Sequence, residues 1–494
     1  MSTDWWQHLE ALGRDLGART AVRTQVDLSF LDLYETASTL AQDLERAGIR
    51  PGQVVGVTLP NGPAFVAAVL ALFQMPTTAA LVSPRYSESE LGTIAREAGV
   101  AAFLTGSAYA GRVATMLGGW KEHPLRGDVF GQGLVLVVSK TRSGQPAPPE
   151  CQNAAVLKLT SGSTGALKGI ALGPEQVLAE ARNITDTLGL GPDDRILADV
   201  PLFHSYGFDL GVLPLLFSGA RLVLQDFFVP RRIADDLGRE EATVFLGVPN
   251  MYRRWLEAAP PGAVSLPRLR YLLSCTAPLD AATILSFHAR FQLPICQHYG
   301  SSETGGVTNH VPDQVLERPD SIGLPLRNVQ IRLVDSRGHE VTPGQEGEIM
   351  VVSPAAASGY VFGAPAERQV FRAGGFLTGD LAVQEAAGFL TLHGRKDHVI
   401  NVGGLKVSPE EVRRVLESHP SVREAGVIGT KDRAGEEAVA AMVALRSPAS
   451  EKELIAFCYR ELADYKVPRR IHIGDVLPRG PTGKVRLRAE DLPL

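Results

Sequence analysis

Apolar positions along the chain change period several times, and each change predicts a different element. Residues 1–33 read as a helix followed by a short strand pair. From Tyr34 to Ala47 the apolar residues keep helical spacing with Leu33, at Ala37, Leu40, Ala41 and Leu44, and stop at Gly48, which predicts a second helix ended by a glycine. From 51 to about 140, short apolar runs alternate with helical ones: VVGVTL, AFVAAVLALF, AALV, SELGTIAREAG, AAFLT, GLVLVV. That alternation predicts a mostly parallel sheet covered by helices. Residues 141–153 are polar and proline-rich and predict a loop. Over 171–300 the alternation resumes, with strands at RILADV, RLVLQ, TVFLGV, RYLLSC and PICQHYG, and predicts a second parallel-sheet unit. After 320 come short strands with glycine turns (VQIRLVD, GEIMVV, FLTGDLAVQ, GFLTLHGR), which predict a small β-rich unit.

A boundary falls at Arg395-Lys396-Asp397. Beyond it, helix 409–418, strands AGVIG and VAAMVAL, helix 451–463 and strand RIHIG predict a small α+β body on a hinge. The expected fold class is therefore α/β. Residues 1–396 form a large N-terminal domain of two parallel-sheet subdomains plus the β-rich unit, and 397–494 a mobile small α+β C-terminal domain.

Composition narrows this picture. A chain of 494 residues is too long for one core. Its net charge of −5, with no basic run, argues against nucleic acid as a partner. Cys151, Cys275, Cys296 and Cys458 have neither metal-ligand spacing nor a disulfide framework, which fits a reducing cytoplasm. The start of the chain, with Asp4, Trp5, Trp6 and Glu10, does not read as a secretion signal. Val54 to Pro84 holds no charged residue, but Pro60, Asn61, Gly62, Pro63 and Pro76 interrupt it, so no membrane span of about 20 residues can be drawn.

The chemistry starts at LTSGSTGALKGI, residues 159–170. Glycines let backbone N–H groups converge on one anion, Ser161, Ser163 and Thr164 add hydroxyls, and Lys168 adds a point charge. The chain has only ten lysines, and none lies between Lys168 and Lys396, so a lysine in a glycine loop points to a polyphosphate more than to a surface turn. The loop is not the Walker type: five residues separate Gly162 from Lys168, and Lys168 is followed by Gly169. QHYGSSETGG, 297–306, offers a ring to stack on a base and Glu303 to hold Mg²⁺; a capped strand-end turn has the same composition. FLTGD ends in Asp380, which can accept from two ribose hydroxyls or simply make a turn. GRKD puts Arg395 in a charge cluster, and GPTGKV puts Lys484 in a terminal loop.

Taken in order, TSGSTGALKG, PLFHSYG, QHYGSSETG, GEI, TGD, GRKD with INVGGLKV, and PTGK resemble the adenylate-forming superfamily. That superfamily includes acyl-CoA synthetases, peptide-synthetase adenylation domains and firefly-type luciferases. The resemblance covers about 150–494 by motifs and 20–150 by pattern, and is strongest to the acyl-CoA synthetase branch. It implies that a carboxylate attacks the α-phosphate of MgATP, after which a thiol displaces AMP.

On the same resemblance, Thr160, Ser161, Gly162, Ser163, Thr164, Gly165 and Lys168 hold the β- and γ-phosphates. Tyr299 stacks on adenine beside Ala277 and Pro278, next to Gly300. Ser302 contacts phosphate, Glu303 binds Mg²⁺, Asp380 grips the ribose and Arg395 assists. Lys484 bridges the acid and the α-phosphate. Asp397 is the hinge, and Gly403, Gly404 and Leu405 line a thiol tunnel. Phe203, His204, Phe208, Thr276, His298 and Gly300 form the acyl pocket, with His204 as its gate. Phe208-Asp209 looks superficially like the amino-acid-activating branch, but LGVLPLLFSGA after it does not.

Two departures bear on the acid. Thr276 stands where the family usually has Gly or Ala, and His298 where a small or apolar residue is commoner. Both lean toward a compact or aromatic carboxylic acid. The implied function is an ATP- and Mg²⁺-dependent carboxylate–CoA ligase. Alternatives are transfer to the phosphopantetheine of an acyl carrier protein, a fatty acyl-CoA synthetase, or a nucleotide-binding module without turnover.

Overall fold

The computed structural model describes residues 4–118, 120–130, 132–138, 147–161, 167–225, 227–258, 264–277, 279, 281–363, 370–372, 374–395, 400–431, 436–478, 487 and 492. Helix Asp4–Leu16 and strands Thr20–Arg23 and Asp27–Ser29 lead into helix Phe30–Arg46. This second helix begins earlier than apolar spacing predicts. Ser29 and Asp32 form a capping box: the Asp32 N–H donates to Ser29 Oγ (3.1 Å) and the Ser29 N–H to Asp32 Oδ2 (3.0 Å).

A seven-stranded sheet holds the first alternating region. Its order is Lys121–Val129, Gln132–Val138, Val100–Gly106, Val54–Thr58, Thr78–Leu81, Val156–Ser161, Leu167–Leu172. The four central strands run parallel, and antiparallel pairs flank them. Strand 121–129 escapes a reading by apolar runs because it is an edge: Lys121 to Pro124 are exposed, while Leu125 and Val129 pack against the core. Helix Pro63–Gln74 is apolar all round because it is buried from Pro63 to Phe73.

The second sheet has 14 strands. Thr20–Arg23, Arg221–Leu224, Arg195–Ala198, Val244–Gly247, Tyr271–Ser274 and Ile295–Ser301 lie side by side and parallel. Gly305–Asn309 then turns back antiparallel, and Ser321–Pro325, Leu390–Arg395, Gly375–Gln384, Glu346–Val352 and Gln330–Val334 follow in the same ladder. The β-rich unit thus continues the parallel sheet. A register shift between Tyr299 and Gly300 marks the junction, the kind of irregularity that re-aims side chains.

A three-stranded sheet, Val422–Lys431, Glu437–Leu445 and Arg470–Gly474, packs with helices Pro409–Ser418 and Glu451–Glu461 around its own core, including Val412, Leu416, Val439, Val443, Leu454 and Cys458. Hairpin Ile400–Val402/Leu405–Val407 precedes it. This small body touches the large region through polar contacts. Lys466 Nζ lies 2.7 Å from Glu90 Oε1, Arg253 Nη1 3.2 Å from Glu436 Oε1, and Asn401 Nδ2 2.6 Å from the Thr276 carbonyl. Among the described residues no helix is long and apolar enough to cross a membrane.

Candidate active site

A cavity of about 1300 Å³ opens where the parallel strands of the long sheet end, and the hairpin at 400–407 closes one side of it. It has three ends. At the first, strand Ile295–Ser301 delivers Tyr299, and strand Gly375–Gln384 delivers Asp380. The Tyr299 hydroxyl donates to Asp380 Oδ2 at 2.7 Å. Ser302 Oγ lies 2.7 Å from Ser205 Oγ, and the Tyr360 hydroxyl donates to Glu303 Oε1 at 2.8 Å. Lys168 Nζ sits 4.6 Å from the centre of the same Tyr360 ring, and Lys168 pairs in register with Thr160, a cavity residue. Gly300 is required by packing: a Cβ there would meet the Gly305 carbonyl at 2.5 Å. Ala277, Gly300, Ser302 and Glu303 all face the cavity. Gly162, Ser163, Thr164, Gly165, Pro278, Asp397 and Lys484 lie outside the described residues, as do the side chains of Ser161 and Arg395.

At the second end stand Phe203, His204, Thr276 and His298, joined by Gln225 and Phe227. Phe208 does not join them. It is fully buried in the apolar core, away from the cavity wall, which corrects the expectation for this residue. The cause is local: residues Phe208–Val212 form a π-helical turn, and Asp209 and Leu210 face the cavity from it.

Both histidines are neutral. Burial, with Lys406 and Lys158 nearby, pulls the His204 pKa down to about 4, and burial pulls His298 down to about 4. His204 caps the short helix Ser205–Gly207, its Nδ1 accepting the Tyr206 N–H at 3.4 Å. The ring proton therefore belongs on Nε2, as a donor. His298 lies near the Tyr206 ring, centroids 6.4 Å apart and planes 27° apart, and its Nδ1 is 3.2 Å from Asn309 Oδ1.

Behind this wall is a cluster that motif reading passed over. Lys158 Nζ lies 2.7 Å from both Asp209 oxygens, and both side chains are almost completely buried. Glu180 is buried beside them and accepts the Gly306 N–H at 2.7 Å. Burial and the Asp209 carboxylate push the Glu180 pKa up to about 8, so Glu180 is mainly protonated at neutral pH. Burial also raises Asp209, opposed by Lys158. The available signal was a lysine inside the apolar run AAVLKL. A cation on a buried strand demands a buried anion.

At the third end, Gly404, Leu405 and Asn401 of the hairpin meet Thr276. Gly403 and Gly404 both have positive φ, 56° and 87°, and a Cβ on Gly404 would collide with Thr276 Oγ1. Gly403 is exposed at the hairpin turn and stands off the cavity wall. Thr276 itself is left-handed, φ 78°, a conformation that disfavours a β-branched residue. Arg85, Arg112, Tyr109 and Tyr459 line the same cavity, as does Tyr465 of the small body. Lys466, from the small body, reaches both Glu90 (2.7 Å) and Glu411 (2.9 Å) while almost fully buried.

Comparison with known proteins adds six findings. A family model described as AMP-binding enzyme matches residues 10–361, and one described as AMP-binding enzyme C-terminal domain matches 411–484. The chain is 31% identical over 474 residues to an oxalate–CoA ligase of Arabidopsis thaliana, covering 92% of this chain and 91% of that one. It is 30% identical over 471 residues to a feruloyl-CoA synthase of an Amycolatopsis species, covering 93% and 92%. A double mutant of the o-succinylbenzoate CoA synthetase of Bacillus subtilis, bound to a CoA product analogue, superposes with a TM-score of 0.83 at 26% identity, covering 97% of this chain and 96% of that one. The same synthetase with AMP superposes at 0.68 over the same shares.

Proposed function

The chain belongs to the AMP-binding enzyme family, in the acyl-CoA synthetase branch of the adenylate-forming enzymes, and we propose from that premise how its residues divide the work. It is an ATP-dependent, AMP-forming carboxylate–CoA ligase acting on a small aromatic or compact acid, with ATP, Mg²⁺ and CoA. The observation that carries the assignment of roles is a single cavity joining Tyr299 and Asp380, His204 and His298, and the hairpin Gly404-Leu405.

In the first step a carboxylate oxygen of the acid attacks the α-phosphorus of ATP and pyrophosphate leaves. Two anions must approach, so donors and positive charge have to surround the phosphorus. Tyr299 takes the adenine beside Ala277 and Pro278. Asp380 accepts from the ribose hydroxyls, giving up the hydrogen bond it now receives from Tyr299. Thr160 to Gly165 and Lys168 hold the outer phosphates, Ser302 and Arg395 assist, and Lys484 bridges acid and α-phosphate. His204 presents Nε2–H to an oxygen of the acid, a donor without a charge of its own.

Glu303 would hold Mg²⁺. A single carboxylate fits that ion, which keeps waters and shares phosphate oxygens, and no group of three candidate ligands occurs among the described residues. When bound, Mg²⁺ neutralises charge on the phosphates.

In the second step the CoA sulfur attacks the acyl carbon and AMP leaves. The thiol arm enters along the Gly403-Gly404-Leu405 turn, and the close packing of Thr276 on Gly404 is what loosens to admit it. In this reading residues 1–396 adenylate, 397–494 turn about Asp397 between the two steps, and the pose seen here serves the second. Four free, buried cysteines suit the cytoplasm as the site of the reaction.

The test is pyrophosphate release across aryl, short, medium and long acids, with and without CoA. Release that rises with CoA for one compact or aromatic class is expected. Adenylation limited to one turnover despite CoA would move the acceptor to the phosphopantetheine of a carrier protein. No release with any acid would overturn the reading.

A further inference from the structure

The two cavity histidines are set in opposite tautomers. The Asn309 amide is oriented by its Nδ2, which donates to the His310 carbonyl at 2.8 Å. Its Oδ1 must then be the atom facing His298 Nδ1, 3.2 Å away. An amide oxygen only accepts, so His298 carries its proton on Nδ1. Burial keeps the ring at one proton at neutral pH, leaving Nε2 as a bare lone pair. No partner for that nitrogen occurs among the described residues. The Cε1–Nε2 edge lies against Gly306, also a cavity residue, where an added Cβ would stand 3.1 Å from both ring atoms. A Cβ there would also stand 2.7 Å from Leu326 Cδ1, so glycine at 306 keeps a side chain from being wedged between Leu326 and the acceptor edge.

Resting on the ligase reading, we propose that His298 is a specificity-determining residue whose Nε2 accepts a hydrogen bond from a hydroxyl on the ring of an aromatic acid. The same lone pair disfavours an acid with a second carboxylate at that place, because two acceptors would face each other. The walls agree with a ring: Tyr206, whose ring centroid stands 6.4 Å from that of His298, lines the cavity together with Phe203. Asp209 does not compete for the hydroxyl as a free anion, since Lys158 holds both of its oxygens.

The test uses the full-length enzyme with ATP, Mg²⁺ and CoA, reading kcat/KM for AMP formation. The substrates are benzoic and cinnamic acids carrying hydroxyl, fluorine, hydrogen or carboxyl at each ring position in turn. Fluorine is close to the hydroxyl in size and donates nothing. At one position the hydroxyl acid should exceed the fluoro and hydrogen acids by about tenfold, the worth of one hydrogen bond, with the carboxyl acid lowest. His298→Phe should bring the hydroxyl-to-fluoro ratio to about one.

A wild-type enzyme that takes the fluoro or carboxyl acid as well as the hydroxyl acid at every position overturns the inference and leaves the ligase standing. So does a tenfold ratio that survives His298→Phe. If that variant does not fold, the wild-type hydroxyl-to-fluoro ratio decides alone. Failure of every acid to yield AMP overturns the ligase reading instead.

Discussion

The end of the cavity at Tyr299 and Asp380 and the end at Gly404 and Leu405 are built in different ways. At the first, Tyr299 and Asp380 stand on strands of one continuous ladder and are already bonded to each other, and Tyr360 is bonded to Glu303 in the turn that follows Ser301. At the other, one wall belongs to a separate small core held on by Lys466–Glu90, Arg253–Glu436 and Asn401–Thr276. The strands that carry Tyr299 and Asp380 stay paired as long as the sheet does. Contacts between two bodies can be broken and remade without unfolding either. An enzyme that must first assemble a phosphate-centred transition state and then admit a thiol needs one rigid end and one removable wall.

The largest effect is expected at the buried pair behind the wall that joins the two ends, the one holding His204 and His298. Lys158→Leu strands the Asp209 carboxylate in the core and should cost about 3–5 kcal/mol in denaturant unfolding, while Lys158→Leu with Asp209→Leu should recover most of it. A single variant as stable as the parent would mean the pair is not buried as described. The removable wall should respond in rate instead of stability. Glu90→Gln keeps an acceptor for Ser87 but removes the charge facing Lys466. Thioester formation from synthetic acyl-adenylate should slow about tenfold, with single-turnover pyrophosphate release intact. Equal loss in both steps would contradict the division between the two ends.

A smaller effect comes from Glu180. Its folded pKa, about 8, lies above the ordinary 4.5, so the folded chain binds more protons between those values. Its contribution to stability is complete below pH 4.5 and declines as pH rises through 8. Glu180→Gln should flatten the stability profile across that window, read as melting temperature against pH. The smallest change is Thr276→Gly. Releasing the left-handed threonine should stabilise the fold by under about 1 kcal/mol in thermal unfolding, and the wider wall should admit larger acids. An unchanged acid profile would show that the Thr276 side chain does not limit the pocket.

These differences also explain what could be read in the sequence. Tyr299, Glu303, Asp380, His204, Thr276 and His298 sit in recognisable strings and do meet at one cavity. Their strings are local, each a strand end with its turn. What failed to show was non-local. The resemblance puts Phe208 at the pocket, but the turn Phe208–Val212 is π-helical and brings Asp209 and Leu210 to the cavity instead. Lys158 and Asp209 are 51 positions apart, and neither string reveals the other. The edge strand 121–129 lacks an apolar run because its first half, Lys121 to Pro124, faces water. Continuation of the β-rich unit into the parallel sheet depends on the hairpin after Ser301, which has no composition of its own.

Glu90 does two jobs at once. One carboxylate oxygen accepts the Ser87 N–H at 2.9 Å and completes the cap of helix Glu88–Glu97; the other receives Lys466 at 2.7 Å. The Ser87 hydroxyl also reaches the Glu461 carbonyl of the small body, at 3.4 Å. The small body therefore touches that helix at its cap, Ser87 and Glu90, while Glu88 and Ser89 stay exposed. The cap amides become an isotope clock: deuterium uptake at Ser87 and Glu90 counts the fraction of time the wall spends away, with no dye, mutation or substrate label.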